Sequence, residues 1–193
     1  MGSVSMTKAD EVMTPAYWAA ACAHLSKKDR VMKRLIPQFG DACLVSRGDA
    51  FVTLARSIVG QQISVKAAQS VWNKFAALSK KITPAGVLKL KVDDMRAAGL
   101  SARKVEYLVD LALHFHGKTV HVKEWQSMDD EAIIAELVAI RGIGRWTAEM
   151  FLIFHLMRPN VLPLDDVFYA NCFHCSRSMA NEFQKNKKEE YWP

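Results

Sequence analysis

The sequence predicts an all-α protein, and three features carry that prediction. Helix start signals recur along the chain: Thr14-Pro15 and Thr83-Pro84, Ser64 and Ser101, and Asp129 or Asp130. Each offers a side-chain oxygen to the unpaired N–H groups of a first turn, where Pro is tolerated because its missing N–H would bond nothing. Apolar residues then return at every third or fourth position, the helical period. No stretch alternates for long enough to be a strand. The best is TVHV, Thr119 to Val122, too short to build a sheet.

The elements follow in order. TPAYWAAACAHLSKKDRVMKRLIPQFG reads as helix, opened by Thr14 as cap and Pro15 as first-turn proline, and ended by Pro37 and Gly40. In the next run Phe51, Leu54, Ala55 and Ile58 form one stripe, Gly60 interrupts it, and Ser64 caps a further helix, VKAAQSVWNKFAAL. TPAGVLKL repeats the Thr-Pro start, and KVDDMRAAGL stops at a glycine C-cap. SARKVEYLVDLALHFHGK starts at Ser101, ends near Gly117 and puts Val105, Leu108, Val109, Ala112 and Phe115 on one face. MDDEAIIAELVAI follows, with Ile134, Leu137 and Val138 on one side, and RWTAEMFLIFHL is the last clear helix. The six Pro and nine Gly fall mostly between these elements.

With 193 residues, half of them hydrophobic, the chain makes one compact domain or two small lobes, with a core sizeable enough to need no disulfide staple. Cys22, Cys43, Cys172 and Cys175 have no spacing that suggests a disulfide framework. CFHC, Cys172 to Cys175, is a lone C-x-x-C; even with His174 a fourth zinc ligand is missing, so two free thiols are expected. No apolar run suits a signal peptide or the roughly 20 residues of a membrane span, so a cytoplasmic protein without membrane contact is expected. The net charge of +6 fits a polyanionic partner, although charge by itself discriminates weakly.

The segment AIIAELVAIRGIGRWTAEMFLIFHL reads as helix, Gly-x-Gly hairpin, helix. Gly142 and Gly144 admit φ > 0 and carry no Cβ, which lets backbone N–H groups at the hairpin and at the next helix start point outward. Such groups suit a phosphate, and backbone contact of that kind reads no base sequence. Arg141 and Arg145 flank the hairpin and add charge. Downstream, RPNVLPLDDVF places Asp165 and Asp166 after a Pro-rich loop, Asp166 lying 22 residues beyond Gly144. A helix dipole stabilises an anion at such a position. Taken singly, the hairpin fits a plain helical connection and the two acids fit one cap and one solvated carboxylate.

Together these segments carry a resemblance. LVAIRGIGRWTAEMFLIF followed by VLPLDD is similar to the helix-hairpin-helix (HhH-GPD) DNA glycosylase superfamily. ARSIVGQQISVKAAQSVW, Ala55 to Trp72, resembles the corresponding segment of its bacterial 3-methyladenine DNA glycosylase II branch. The two matches stand in the family's order, and the resemblance covers roughly residues 15–170. It implies two helical lobes with a cleft between them. It also implies a bacterial, nucleoid-associated repair enzyme that acts as a monomer on duplex DNA containing alkylated bases, with no cofactor.

Site roles follow from the resemblance. Gln62, beside Gln61 and Ile63, would fill the gap left when a nucleotide is flipped out, a step costing a few kcal/mol. Trp146, with Met150 one turn on, would wall the base pocket, where an alkylated purine's positive charge favours a π-face. The branch tends to carry an aromatic residue where Met150 stands, so this pocket differs. Relatives with lyase activity carry Lys at the position of Trp146; an indole forms no Schiff base, so hydrolysis without strand cleavage is implied. Asp166 would be the catalytic carboxylate and Asp165 its structural neighbour. Gly142, Gly144, Arg141, Arg145 and Thr147 would hold phosphate, and backbone carbonyls of Val138, Ile140 and Ile143 a structural monovalent cation. An aromatic slot admits 3-methyladenine, 7-methylguanine, ethenoadenine or hypoxanthine.

The first 14 residues read as disordered, and residues 171–193 as an atypical tail, truncated or frameshifted relative to the family. That tail supports an alternative reading, a DNA-binding helix-hairpin-helix protein with impaired catalysis. A helical scaffold with no DNA role is the third reading.

Overall fold

The computed structural model describes residues 14–46, 48–164 and 166, and among them there are nine α-helices and no strand. The N-terminal helix expected from the sequence is two. α1, Trp18–Lys28, and α2, Arg30–Leu35, are separated by Asp29, whose carboxylate accepts from Val31 N at 2.7 Å and Met32 N at 2.8 Å. A side chain that caps one helix interrupts the helix before it. Thr14 and Pro15 do not start α1. The Thr14 hydroxyl lies 3.3 Å from Cys43 Sγ, and Pro15 O closes a turn with Trp18 N. A 3-10 turn, Ile36–Phe39, follows α2.

The remaining starts match the sequence signals closely. α4, Val65–Ala76, is capped by Ser64; α5, Pro84–Val87, by Thr83; α7, Ala102–His116, by Ser101; α8, Asp130–Val138, by Asp129. α3, Ala50–Gly60, is capped by Asp49. α6, Val92–Ala97, ends with Gly99 at φ +100, the left-handed geometry of a helix stop.

α3 is the hub. Its stripe of Phe51, Leu54, Ala55 and Ile58 is buried, and it packs against α4, α7 and α9, Arg145–Phe154. α5 and α6 cover α7, while α8 pairs with α9. Leu54, Ile58, Phe75, Leu108, Leu111, Leu137 and Leu152 are almost fully enclosed. Each such side chain contributes roughly 1.5–3 kcal/mol by leaving water. Among the described residues the core is a single cluster from α3 to α9, and α1 and α2 bury no residue in it.

Two facial assignments change. Val138 is 44% exposed; the buried arc of α8 is Ile133, Ile134 and Leu137, continued by Ile140 beyond its end. Val138 sits one residue, about 100°, past Leu137 and turns to solvent. On α7 Leu111 is buried where Val109 is only partly so.

Trp125, in the segment between α7 and α8, is fully buried and links the parts that matter for the site. Ring contacts run from Phe51 to Phe115 (5.4 Å), to Trp125 (6.2 Å), to Phe151 (5.4 Å) and to His155 (4.4 Å, stacked). This chain of aromatics fixes α9 against α3 and α7. No helix among the described residues is long and apolar enough to cross a membrane. Asp165, Cys172, Cys175 and the tail lie outside the described residues, as do residues 1–13.

Candidate functional site

The hairpin between α8 and α9 closes with Ile143 N donating to Ile140 O at 3.1 Å. Gly142 has φ +86, and a Cβ there would lie 2.2–2.7 Å from the ring of Tyr107. Both backbone and space therefore demand glycine. Gly144 differs from expectation. Its φ is −92, ordinary extended backbone, and a Cβ there would meet nothing within 4 Å. It is the N-cap of α9, which has no side-chain cap. First-turn N–H groups of a helix lack intrahelical partners, so those of Arg145, Trp146 and Thr147 form a partial positive site.

Both flanking arginines pair with carboxylates. Arg141 is anchored by Asp110, which accepts from Arg141 N at 2.8 Å and Arg141 Nε at 3.2 Å. Arg145 donates to both oxygens of Glu131 (3.0 and 2.6 Å) and to Glu149 at 3.1 Å, and these partners raise its pKa, the Glu131 bonds most. Each pair braces the hairpin while the guanidinium stays at the surface, Arg141 64% and Arg145 43% exposed. Thr147 is buried on the first turn of α9 and lines the cavity between α3 and α9.

The glutamine loop after α3 is tied to the same hairpin. Gln61 Nε2 donates to Gly142 O at 2.7 Å. Lys104 Nζ donates to Val59 O at 2.7 Å and to Gln61 O at 2.8 Å, satisfying carbonyls at the α3 C-terminus; burial lowers its pKa. Gln61 thus ties the loop to the hairpin. Gln62 is exposed and held at φ +58, and Ile63 is 40% exposed beside it. A left-handed non-glycine residue is uncommon and persists where its surroundings hold it.

A cavity of about 530 Å³ opens between α3 and α9, lined by Thr53, Arg56, Ser57, Met150 and Phe154 among others. Its volume lies in the range of small-molecule sites. Met150 lines it, and Trp146 does not. Trp146 is 47% exposed, and its Nε1 donates to Asp166 Oδ2 at 2.8 Å. Asp166 itself is held by a turn, its N donating to Pro163 O at 3.2 Å. Two residues 20 apart in sequence, singled out separately, meet here. Among the described residues no group of three acidic, His or Cys side chains could hold a metal ion.

Sequence reasoning missed Tyr107, Lys104 and Asp110. All three lie on α7, between 31 and 45 residues from most of what they touch, and no local pattern marks such partners.

Comparison with known proteins places the chain in a family. The model of the family described as "HhH-GPD superfamily base excision DNA repair protein" matches residues 55–191. DNA-3-methyladenine glycosylase 1 of Schizosaccharomyces pombe is 35% identical over 155 residues, covering 77% of this chain and 68% of that protein. A DNA-3-methyladenine glycosylase of Saccharomyces cerevisiae is 34% identical, over 74% of this chain and 51% of its own length. The chain thus spans between half and about two thirds of these relatives. Among solved structures, the Schizosaccharomyces pombe 3-methyladenine DNA glycosylase in complex with abasic DNA superposes with TM-score 0.67, at 35% identity, over 77% of this chain and 75% of that one. A DNA-3-methyladenine glycosidase from Bacillus halodurans gives 0.66 at 31% identity, over 74% and 66%. The chain belongs to the HhH-GPD superfamily of base excision DNA repair proteins.

Proposed function

We propose that the protein hydrolyses the N-glycosidic bond of alkylated purines of the 3-methyladenine type in duplex DNA, leaving an abasic site and an intact strand. The observation that carries this reading is the pairing of Asp166 with Trp146 on the first turn of α9, directly after the hairpin. The names of the relatives, and a similar structure solved with abasic DNA, support it.

The duplex backbone would dock on the N–H groups between Gly142 and Thr147, a contact blind to sequence. A monovalent cation on the carbonyls of Val138, Ile140 and Ile143 would add positive charge there; Ile140 O already accepts one bond, and a carbonyl can take two. Gln62, with Ile63 beside it, would enter the stack as the nucleotide leaves it, while Gln61 and Lys104 keep their loop in register with the hairpin. The extruded base would then enter the cavity between α3 and α9, against Met150. An alkylated purine is already a good leaving group, so the remaining need is to stabilise the oxocarbenium-like sugar. A carboxylate held close to that charge meets it. Trp146 supplies no amine, so water completes the reaction and no covalent imine forms. One such site acts on one lesion, and a monomer suffices.

The test is a duplex carrying one alkylated purine, labelled on the damaged strand. The strand is expected to stay intact after base loss until alkali is added, and borohydride is expected to trap no protein–DNA adduct. A borohydride-stabilised adduct would overturn the monofunctional reading.

A further inference from the structure

We infer that Trp146 acts through its indole N–H as the positioning residue that aims the Asp166 carboxylate, a role separate from any stacking on the extruded base. The inference rests on the proposed function and assigns Trp146 a part in the sugar chemistry of that same site.

The geometry supports this in three ways. The bond from Nε1 to Oδ2 is 2.8 Å, within the short range of charge-assisted hydrogen bonds. The donor is rigid. Trp146 is the second residue of α9, a ten-residue helix pinned further along by Phe151, whose ring packs edge-on to Trp125 and stacks on His155. The acceptor belongs to the loop that returns to α9. Asp166 stands at the end of a turn begun by Pro163, so its backbone is set locally and its carboxylate takes its orientation from tertiary contact. The bond holds one carboxylate oxygen and so restricts rotation about the Cβ–Cγ bond. The cavity wall points the same way: on α9 the cavity is lined by Thr147, Met150, Phe151 and Phe154, while the Trp146 indole bonds Asp166.

The experiment removes the base from the question. Two duplexes are compared, each lacking a base at one site: one carries a neutral tetrahydrofuran there, the other a cationic pyrrolidine that mimics the charge of the sugar. The wild type is expected to prefer the cationic duplex, and Asp166→Asn to lose that preference. Trp146→Phe keeps a flat aromatic ring but has no donor. It is expected to bind the neutral duplex as the wild type does, which shows that it is folded, and to lose about 10- to 100-fold of the preference, the worth of one hydrogen bond to a charged group. If Trp146→Phe keeps the full preference while Asp166→Asn loses it, the positioning role is overturned and the proposed function stands. If the wild type and Asp166→Asn show equal, absent preference, Asp166 does not face the sugar, and both the inference and the proposed function fall.

Discussion

Replacing Gly142 by alanine tests how tightly the hairpin is specified. At φ +86 an alanine sits in the left-handed region, at a cost of about 1–2 kcal/mol relative to glycine. Its Cβ would also lie 2.2 Å from Tyr107 Cδ2 and 2.4 Å from Cγ. Those atoms are near the root of the ring and cannot swing clear without moving α7, so overpacking adds about 1–3 kcal/mol. Alanine restricts the unfolded chain more than glycine does, which offsets up to about 1 kcal/mol. The net expectation is a loss of about 1–5 kcal/mol, a fall in Tm of roughly 2–20 °C for a chain of this size. Chemical denaturation of Gly142→Ala, Tyr107→Ala and the double variant measures it. Removing the ring should relieve the clash, so the double variant should be more stable than additivity predicts by about 1–3 kcal/mol. Additivity within about 0.5 kcal/mol, or a single-variant loss below about 1 kcal/mol, would refute the reasoning.

Other outcomes follow from the same structure. Gly144→Ala meets open space at an ordinary φ and should cost no more than about 1 kcal/mol of stability, the scale of an N-cap change, yet weaken duplex binding in a filter-binding titration if phosphate approaches there. Arg145→Met leaves the Glu149 carboxylate, whose side chain is only 5% exposed, without that cation. Arg145 is itself 43% exposed, so the expected loss is about 1–3 kcal/mol, less than for a fully buried pair, and Glu149→Gln in the same chain should recover part of it on denaturation. The pair of His121 and Glu136 predicts a pH window. Bonding to Glu136 raises the His121 pKa above 6.5, so its contribution is complete below that value and fades as pH rises through the folded pKa. The Glu136 pKa falls below 4.5: burial pushes it up, but the Trp125 and His121 bonds outweigh that, so its contribution is complete above 4.5 and fades as pH drops through the folded pKa. Stability from this pair should therefore peak between about pH 4.5 and 6.5 in thermal melts, and Glu136→Gln should flatten both edges.

What the sequence disclosed was mostly local. Ser64, Thr83, Ser101 and Asp129 could be read as caps because a cap bonds an N–H two or three residues away. The stripe on α3 was legible because burial there repeats with the helical period. Thr14 misled because its hydroxyl found Cys43, 29 residues on, in place of its own backbone. Val138 misled because an apolar residue at the margin of an amphipathic face fits either side. In the site, motif order singled out Trp146, Asp166 and Gln62, but the bond between the first two depends on how the loop after α9 folds back. Gln61 and Gln62 are adjacent and identical in chemistry. Only the fold separates them, sending one inward to Gly142 O and leaving the other exposed. Arg145 is 43% exposed at the surface, and its bond to Glu131, 14 residues away, has no local signal in the sequence.

The most direct measurement is release of free methylated base from methylated duplex DNA under single-turnover conditions, by the wild type and by Asp166→Asn at matched duplex occupancy. The wild type is expected to release base and the variant to lose about 100-fold or more of that rate, the scale on which removing a charge-stabilising group acts. Equal release by the two would contradict the role given to Asp166. No release by a wild type that binds the duplex would contradict the proposed activity itself.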